Sequence, residues 1–126
     1  MDTLQLIPLN PIRTQATDAR MEKILLAFEL LRLRDREMPG QVTSCFLYVA
    51  SHDGCHKQAI EQDLGLSTAS SSRNTDILST GRIGRGAGGL GLIIKEEDKT
   101  NRRRQLLRLS PLGKDLARMI KQTIYD

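Results

Sequence analysis

The sequence predicts a mainly α-helical domain carrying one small β-hairpin. Three observations predict it. Apolar residues recur at three- and four-residue spacing over most of the chain. Two short aliphatic segments, Leu92-Ile93-Ile94-Lys95 and Gln105 to Leu109, flank a charged, polar tip. The 126 residues fit one compact domain, and with 3% aromatic residues and no Trp its core must be built from Leu, Ile, Val and Met.

Residues 1–17 contain Pro8 and Pro11 and no clear period, so they read as an extended N-terminal arm, with the domain proper at 18–126. From Asp18 to about Glu37, Met21, Ile24, Leu25, Phe28 and Leu31 form a helical stripe, which Thr17 or Asp18 can cap and Pro39-Gly40 stops. Leu30 and Leu33 widen that apolar surface, so the helix has enough of it to meet both its own core and another chain. Val42, Cys45, Phe46 and Val49 mark a second helix, over Gln41 to Ser51, and Asp53-Gly54 is a turn. Cys55 to Leu64 reads as a short helix with Ala59, Ile60 and Leu64 inward. Gly65 supplies a turn with Leu64 and Leu66 pointing into the core, and Ser67 caps a helix from Thr68 to about Ser79. Six glycines between Gly81 and Gly91 exclude a stable helix there and suggest a hinge that aims the hairpin. The hairpin comes next, with its tip at Glu96 to Arg104. Pro111 then opens a last helix with Leu112, Leu116, Met119, Ile120 and Ile124 inward. Short helix, glycine turn, helix and two-stranded hairpin, in that order, make a winged helix-turn-helix, with the first and last helices left over for dimerisation.

Charge points the same way. Net charge is +4, yet residues 1–64 carry seven basic and nine acidic side chains, whereas residues 65–110 carry nine basic and four acidic. A basic middle-to-late third is expected where one face approaches a polyanion, although a solvated basic surface without a partner has the same composition. On the helix after the glycine turn, Ser71, Thr75 and Leu78 fall on one side, and Ala69, Ser72, Arg73 and Asp76 on the other. That outer face is small and polar with one Arg, which suits close approach to a major groove: Arg can read guanine, and Ser or Thr can bond phosphate or base edges. At the hairpin tip, Lys99, Arg102, Arg103 and Arg104 can reach phosphates, with Glu96, Glu97 and Asp98 close by as possible pairing partners. The candidate DNA-contact residues are therefore Ser67, Thr68, Ala69, Ser70, Ser72, Arg73, Asp76, Lys99, Arg102, Arg103 and Arg104.

The stretch from about Gln41 to Lys114 resembles the MarR family of winged-helix transcriptional regulators. The residues that carry the resemblance are Leu64-Gly65-Leu66-Ser67, Ser70-Ser71-Ser72-Arg73, Gly91-Leu92-Ile93-Ile94 and Leu109-Ser110-Pro111-Leu112-Gly113. The last matches the family's Leu-Thr-x-x-Gly, and Asn101-Arg102-Arg103 holds the spacing of its Asp-x-Arg. The resemblance implies a homodimer joined through terminal helices, a pseudo-palindromic double-stranded DNA operator, and a small-molecule effector of unknown identity. The chain departs from the pattern at Asn101, Glu61, Ser71 and Asn74, and in the length of the Gly81 to Gly91 stretch.

Other chemistries fit less well. Gly84-Arg85-Gly86-Ala87-Gly88-Gly89 satisfies G-x-G-x-x-G but has a helix before it and a strand after it, the reverse of a dinucleotide site. Cys45, His52, Cys55 and His56 lack metal-ligand spacing, and Cys55 beside Lys57 is at most a redox-sensitive thiol. No catalytic arrangement, cofactor or metal site is expected. No apolar run is long enough for a membrane span and no signal peptide is visible, so the expected location is cytoplasmic. Two readings remain open: a homodimeric, sequence-specific DNA-binding transcriptional regulator, or a winged-helix protein-interaction module without specific DNA binding.

Overall fold

The computed structural model describes residues 12–79 and 89–125. Five helices and three strands run in the order α1 (Ala19–Arg32), α2 (Gly40–Ser51), β1 (Cys55–His56), α3 (Lys57–Leu64), α4 (Thr68–Leu78), β2 (Ile93–Glu97), β3 (Gln105–Leu109) and α5 (Pro111–Tyr125). The winged helix-turn-helix read from the sequence is present. Residues 12–17 are exposed and without regular structure, while the rest of the expected arm and most of the glycine stretch, including all but the last residue of the G-x-G-x-x-G match, lie outside the described residues.

Asp18 caps α1, its Oδ1 accepting from the N–H groups of Arg20 (3.0 Å) and Met21 (3.1 Å). The helix ends at Arg32 rather than near Glu37. There the Asp35 side chain accepts the Glu37 N–H (3.0 Å) and the Asp35 carbonyl accepts the Met38 N–H (3.2 Å), so a local turn replaces the helical ladder. Pro39 is the N-cap of α2. The face of α1 that packs inward also differs from the expected stripe. Ala27, Leu30 and Leu31 are buried, whereas Met21, Ile24, Leu25 and Phe28 are exposed. A helix apolar on both sides has no unique inward face, and packing against α5 selects one.

The central helix is α2, whose Val42, Cys45, Phe46 and Val49 are fully buried. Around them lie Ile60 of α3, Leu78 of α4, Leu107 of β3, and Leu116 of α5, together with Leu92 and Ile93 at the start of the hairpin. Leu66 packs on this core, but Leu64 and Ile124, both expected inward, are exposed.

The hairpin is part of a three-stranded antiparallel sheet in the order β1-β3-β2. Strand β1 takes the first two residues expected for α3, pairing Cys55 with Leu107 and His56 with Leu106. The Asp53-Gly54 turn sets this up: Gly54 N–H donates to the Leu107 carbonyl (2.8 Å) and Leu109 N–H to Asp53 Oδ1 (2.8 Å).

The Leu109-Ser110-Pro111-Leu112-Gly113 motif has a physical account. Ser110 N–H donates to the Leu92 carbonyl (3.0 Å), and Ser110 Oγ accepts the Gly113 N–H (3.0 Å), which caps α5 while the segment stays tied to β2's approach. A Cβ on Gly113 would lie 2.0 Å from the Leu92 carbonyl oxygen, so only glycine fits at this crossing.

Candidate nucleic-acid interface

The α3–α4 turn rests on Gly65, whose left-handed backbone (φ +64°) other residues adopt only with strain. Beside it, Glu61 joins the two helices. Its carboxylate accepts from Ser71 Oγ (2.8 Å), Thr68 Oγ1 (3.2 Å) and Lys57 Nζ (3.1 Å). The Ser71 bond, followed by the others, holds the Glu61 pKa below its ordinary value. Asn74 Nδ2 donates to Gln41 Oε1 of α2 (3.0 Å). The departures at Glu61, Ser71 and Asn74 are thus partners in a polar joint that seats α4 on α3 and α2.

The expected inner face of α4 is observed: Ser71, Thr75 and Leu78 are buried, with Asn74 beside them. Thr75 Oγ1 satisfies itself on the Ser71 carbonyl (2.7 Å). Of the candidate contact residues, Thr68, Ala69 and Arg73 are exposed, and Ser70, Ser72 and Asp76 are half-buried. Ser67 is exposed but its Oγ accepts the Ser70 N–H (3.0 Å) as the N-cap, and Thr68 Oγ1 is engaged by Glu61. Arg73 reaches back to Ser70 Oγ at 3.3 Å. Asp76 Oδ1 is held by Lys95 of β2 at 2.5 Å, an ion pair that ties the wing to α4. A residue absent from the sequence reading joins this face: Ile77, four positions after Arg73, is 39% exposed. The four-residue spacing from Arg73 was the signal that could have found it.

The wing tip folds as two consecutive turns. Asn101 N–H donates to the Asp98 carbonyl (3.1 Å) and Arg104 N–H to the Asn101 carbonyl (2.9 Å). Arg102 and Arg103 are therefore the corner of a turn, and β3 begins only at Gln105, so these arginines do not alternate as on a strand. Asn101 Oδ1 accepts the Arg103 N–H (3.1 Å), a backbone bond in place of an ion pair. Lys99, Arg102, Arg103 and Arg104 are all exposed. Arg102 lies 3.6 Å from Glu97, and the ion pairs among the described residues leave Lys99, Arg103, Arg104 and Arg73 uncommitted.

Asp98, read from sequence only as a nearby acid, organises this tip. Its Oδ1 accepts from Thr100 Oγ1 (2.7 Å) and Thr100 N–H (2.9 Å), and its Oδ2 lies 2.9 Å from His56 Nε2. The Thr100 hydroxyl, then His56, then the Thr100 N–H hold the carboxyl well below the usual carboxylate range. His56 belongs to β1, so the pair clamps the wing tip to the start of α3.

Between α2 and α5 lies an open groove of about 350 Å³. Phe46, Ala50, Ala117 and Ile120 make its wall apolar, and the exposed Lys114 and Lys121 bring two ammonium groups to it. Burial raises the thiol pKa of Cys45 and of Cys55, which works against thiolate reactivity at either. No helix among the described residues is long and apolar enough to cross a membrane.

No family model matches the chain, and no curated protein matches it. Solved structures do. MarR is matched at 19% identity and a TM-score of 0.58, over 82% of this chain and 67% of that one. A MarR transcriptional regulator from Methanosarcina mazei Go1 is matched at 15% identity and 0.57, over 85% and 64%. The PcaV transcriptional regulator from Streptomyces coelicolor is matched at 20% and 0.54, over 83% and 71%. The chain spans about two thirds of the length of these structures. They share its fold: a MarR-like winged helix.

Proposed function

Starting from a MarR-like winged-helix fold, we propose that this protein is a cytoplasmic, homodimeric transcriptional regulator that binds double-stranded DNA with sequence specificity and acts by binding rather than catalysis. Residues 18–126 are the DNA-binding and dimerising unit, and residues 1–17 an arm. The observation that carries this reading is the exposed cations of α4 and the wing that have no carboxylate partner among the described residues, Arg73, Lys99, Arg103 and Arg104, on two elements joined by the Lys95–Asp76 pair. Arg73 would read a base edge, and the wing cations would neutralise phosphate. Ser67, Thr68 and Ser70 would meet the backbone, with Ala69 and Ser72 allowing close approach. Asp76 would position the wing rather than touch DNA.

The exposed Met21, Ile24, Leu25 and Phe28 of α1 and Ile124 and Tyr125 of α5, on two helices that pack together, support the homodimer. Exposed apolar side chains grouped on packed helices mark an interaction surface, and a second copy would cover them with the same surface. The α2–α5 groove would admit an effector with an apolar body and an anionic group. A neighbour of this fold, PcaV, has been crystallised with its natural ligand.

The reading is tested by gel shift with random duplex DNA at several salt concentrations, followed by selection of a preferred site. Binding whose logarithm falls linearly with log salt, and an enriched two-fold-related sequence, are expected. No binding at low salt would overturn it and leave the protein-interaction module.

A further inference from the structure

The outward face of α4 carries Arg73 among small or polar side chains, with one large apolar residue. Ile77 exposes 39% of its surface although Leu78, its neighbour, is fully buried. In a helix a β-branched side chain has one strongly preferred rotamer, so Ile77 presents a fixed apolar surface. Its backbone is fixed too, because the Ile77 carbonyl accepts the Leu90 N–H at 2.7 Å. The neighbouring carboxylate of Asp76 is held by Lys95, which lowers its repulsion of a phosphate chain.

Ile77 lies four positions after Arg73, which is about 40° around a helix and about 6 Å along it. Both side chains therefore address the same groove, roughly two base steps apart at about 3.4 Å per step. The floor of a major groove carries hydrogen-bonding groups at every base pair and one apolar group, the C5 methyl of thymine. Ala69, the other apolar residue of this face, ends at its Cβ, so it reaches less far.

We propose that Ile77 is a specificity-determining residue that packs on a thymine methyl group about two base pairs from the base contacted by Arg73. The inference rests on the DNA-reading function proposed above. Recognition of this kind is apolar, so it adds to the preference for one base without adding to the salt dependence that the cations produce.

The test uses the full chain and the duplex it selects from a random library. Each thymine is replaced in turn, in both half-sites, by deoxyuridine, which lacks only the methyl group. Wild-type protein should show one position at which the replacement weakens binding about four-fold per methyl. Ile77→Ala should bind the thymine duplex more weakly and be indifferent to uracil at that position, and Ile77→Val should be intermediate. Ile77 is partly exposed and Ala is the better helix former, so both variants should remain folded at the binding temperature, which their melting curves check. Absence of any uracil-sensitive position, or the same sensitivity in Ile77→Ala, overturns the inference and leaves DNA reading intact. Failure to select any duplex overturns the DNA reading itself, and this inference with it.

Discussion

Arg73 is the candidate base reader because it is exposed, uncommitted to any carboxylate among the described residues, and mounted on a helix whose inner face is locked by Ser71, Asn74 and Thr75. Arg73→Ala should cost about 1–3 kcal/mol on the selected site and much less on random DNA, measured by titration against both. An equal loss on the two DNAs would make it a phosphate contact. Asp98 carries the clearest pH dependence. Its carboxyl is held below its unfolded value, so its contribution to stability is full at neutral pH, declines once pH drops below the ordinary carboxylate value, and is lost as pH falls through the depressed folded value. Asp98→Asn should therefore lower the melting temperature at pH 7, and the gap to wild type should narrow below about pH 4. A gap that stays constant with pH would mean that the carboxylate charge is not what the wing tip uses. Asp98 was legible as an acid near basic residues, but its role needs His56 from 42 positions earlier, which no local pattern shows.

At the scale of elements, the wing and α1 each follow a rule other than the simplest one. Strand alternation would put Arg102 and Arg104 on one side and Arg103 on the other. The observed turn instead makes Arg102 and Arg103 a corner, and Glu97 lies near Arg102. Arg103→Ala should lower the slope of log K against log salt by about 1, and Arg102→Ala by less, read from binding at a series of salt concentrations. If neither changes the slope, the wing does not contact DNA. For α1, the sequence shows a broad apolar surface but not which part of it is inward. With Leu30 and Leu31 buried, Leu25 and Phe28 are free to meet a second copy. Leu25→Asp with Phe28→Asp should leave the helical spectrum unchanged and raise the dimer dissociation constant at least about 100-fold, since each such side chain contributes roughly 1.5–3 kcal/mol when buried. Sedimentation showing wild-type monomer at micromolar concentration would defeat the dimer outright.

Over the whole molecule, the groove between α2 and α5 lies where a bound molecule would touch both the central core helix and one of the proposed dimer helices. An aromatic or short aliphatic carboxylate should raise the melting temperature of the wild type, and Lys114→Met with Lys121→Met should abolish the shift. A shift that survives the double variant would place binding elsewhere. The order of elements, the glycine turn, the caps at Asp18 and Ser67, and the inner face of α4 were all legible in the amino-acid sequence. Each of these depends on residues within a turn or two of one another, where spacing and backbone preference act directly. The inward face of α1, the existence of β1 and the turn at Arg102-Arg103 emerged only in the folded chain. Strand β1 is two residues long and exists because β3, about 50 residues later, supplies its hydrogen-bond partners. The face of α1 is chosen by α5 at the other end of the chain. Contacts between residues so far apart in sequence leave no periodicity in either segment, and only packing can assign them.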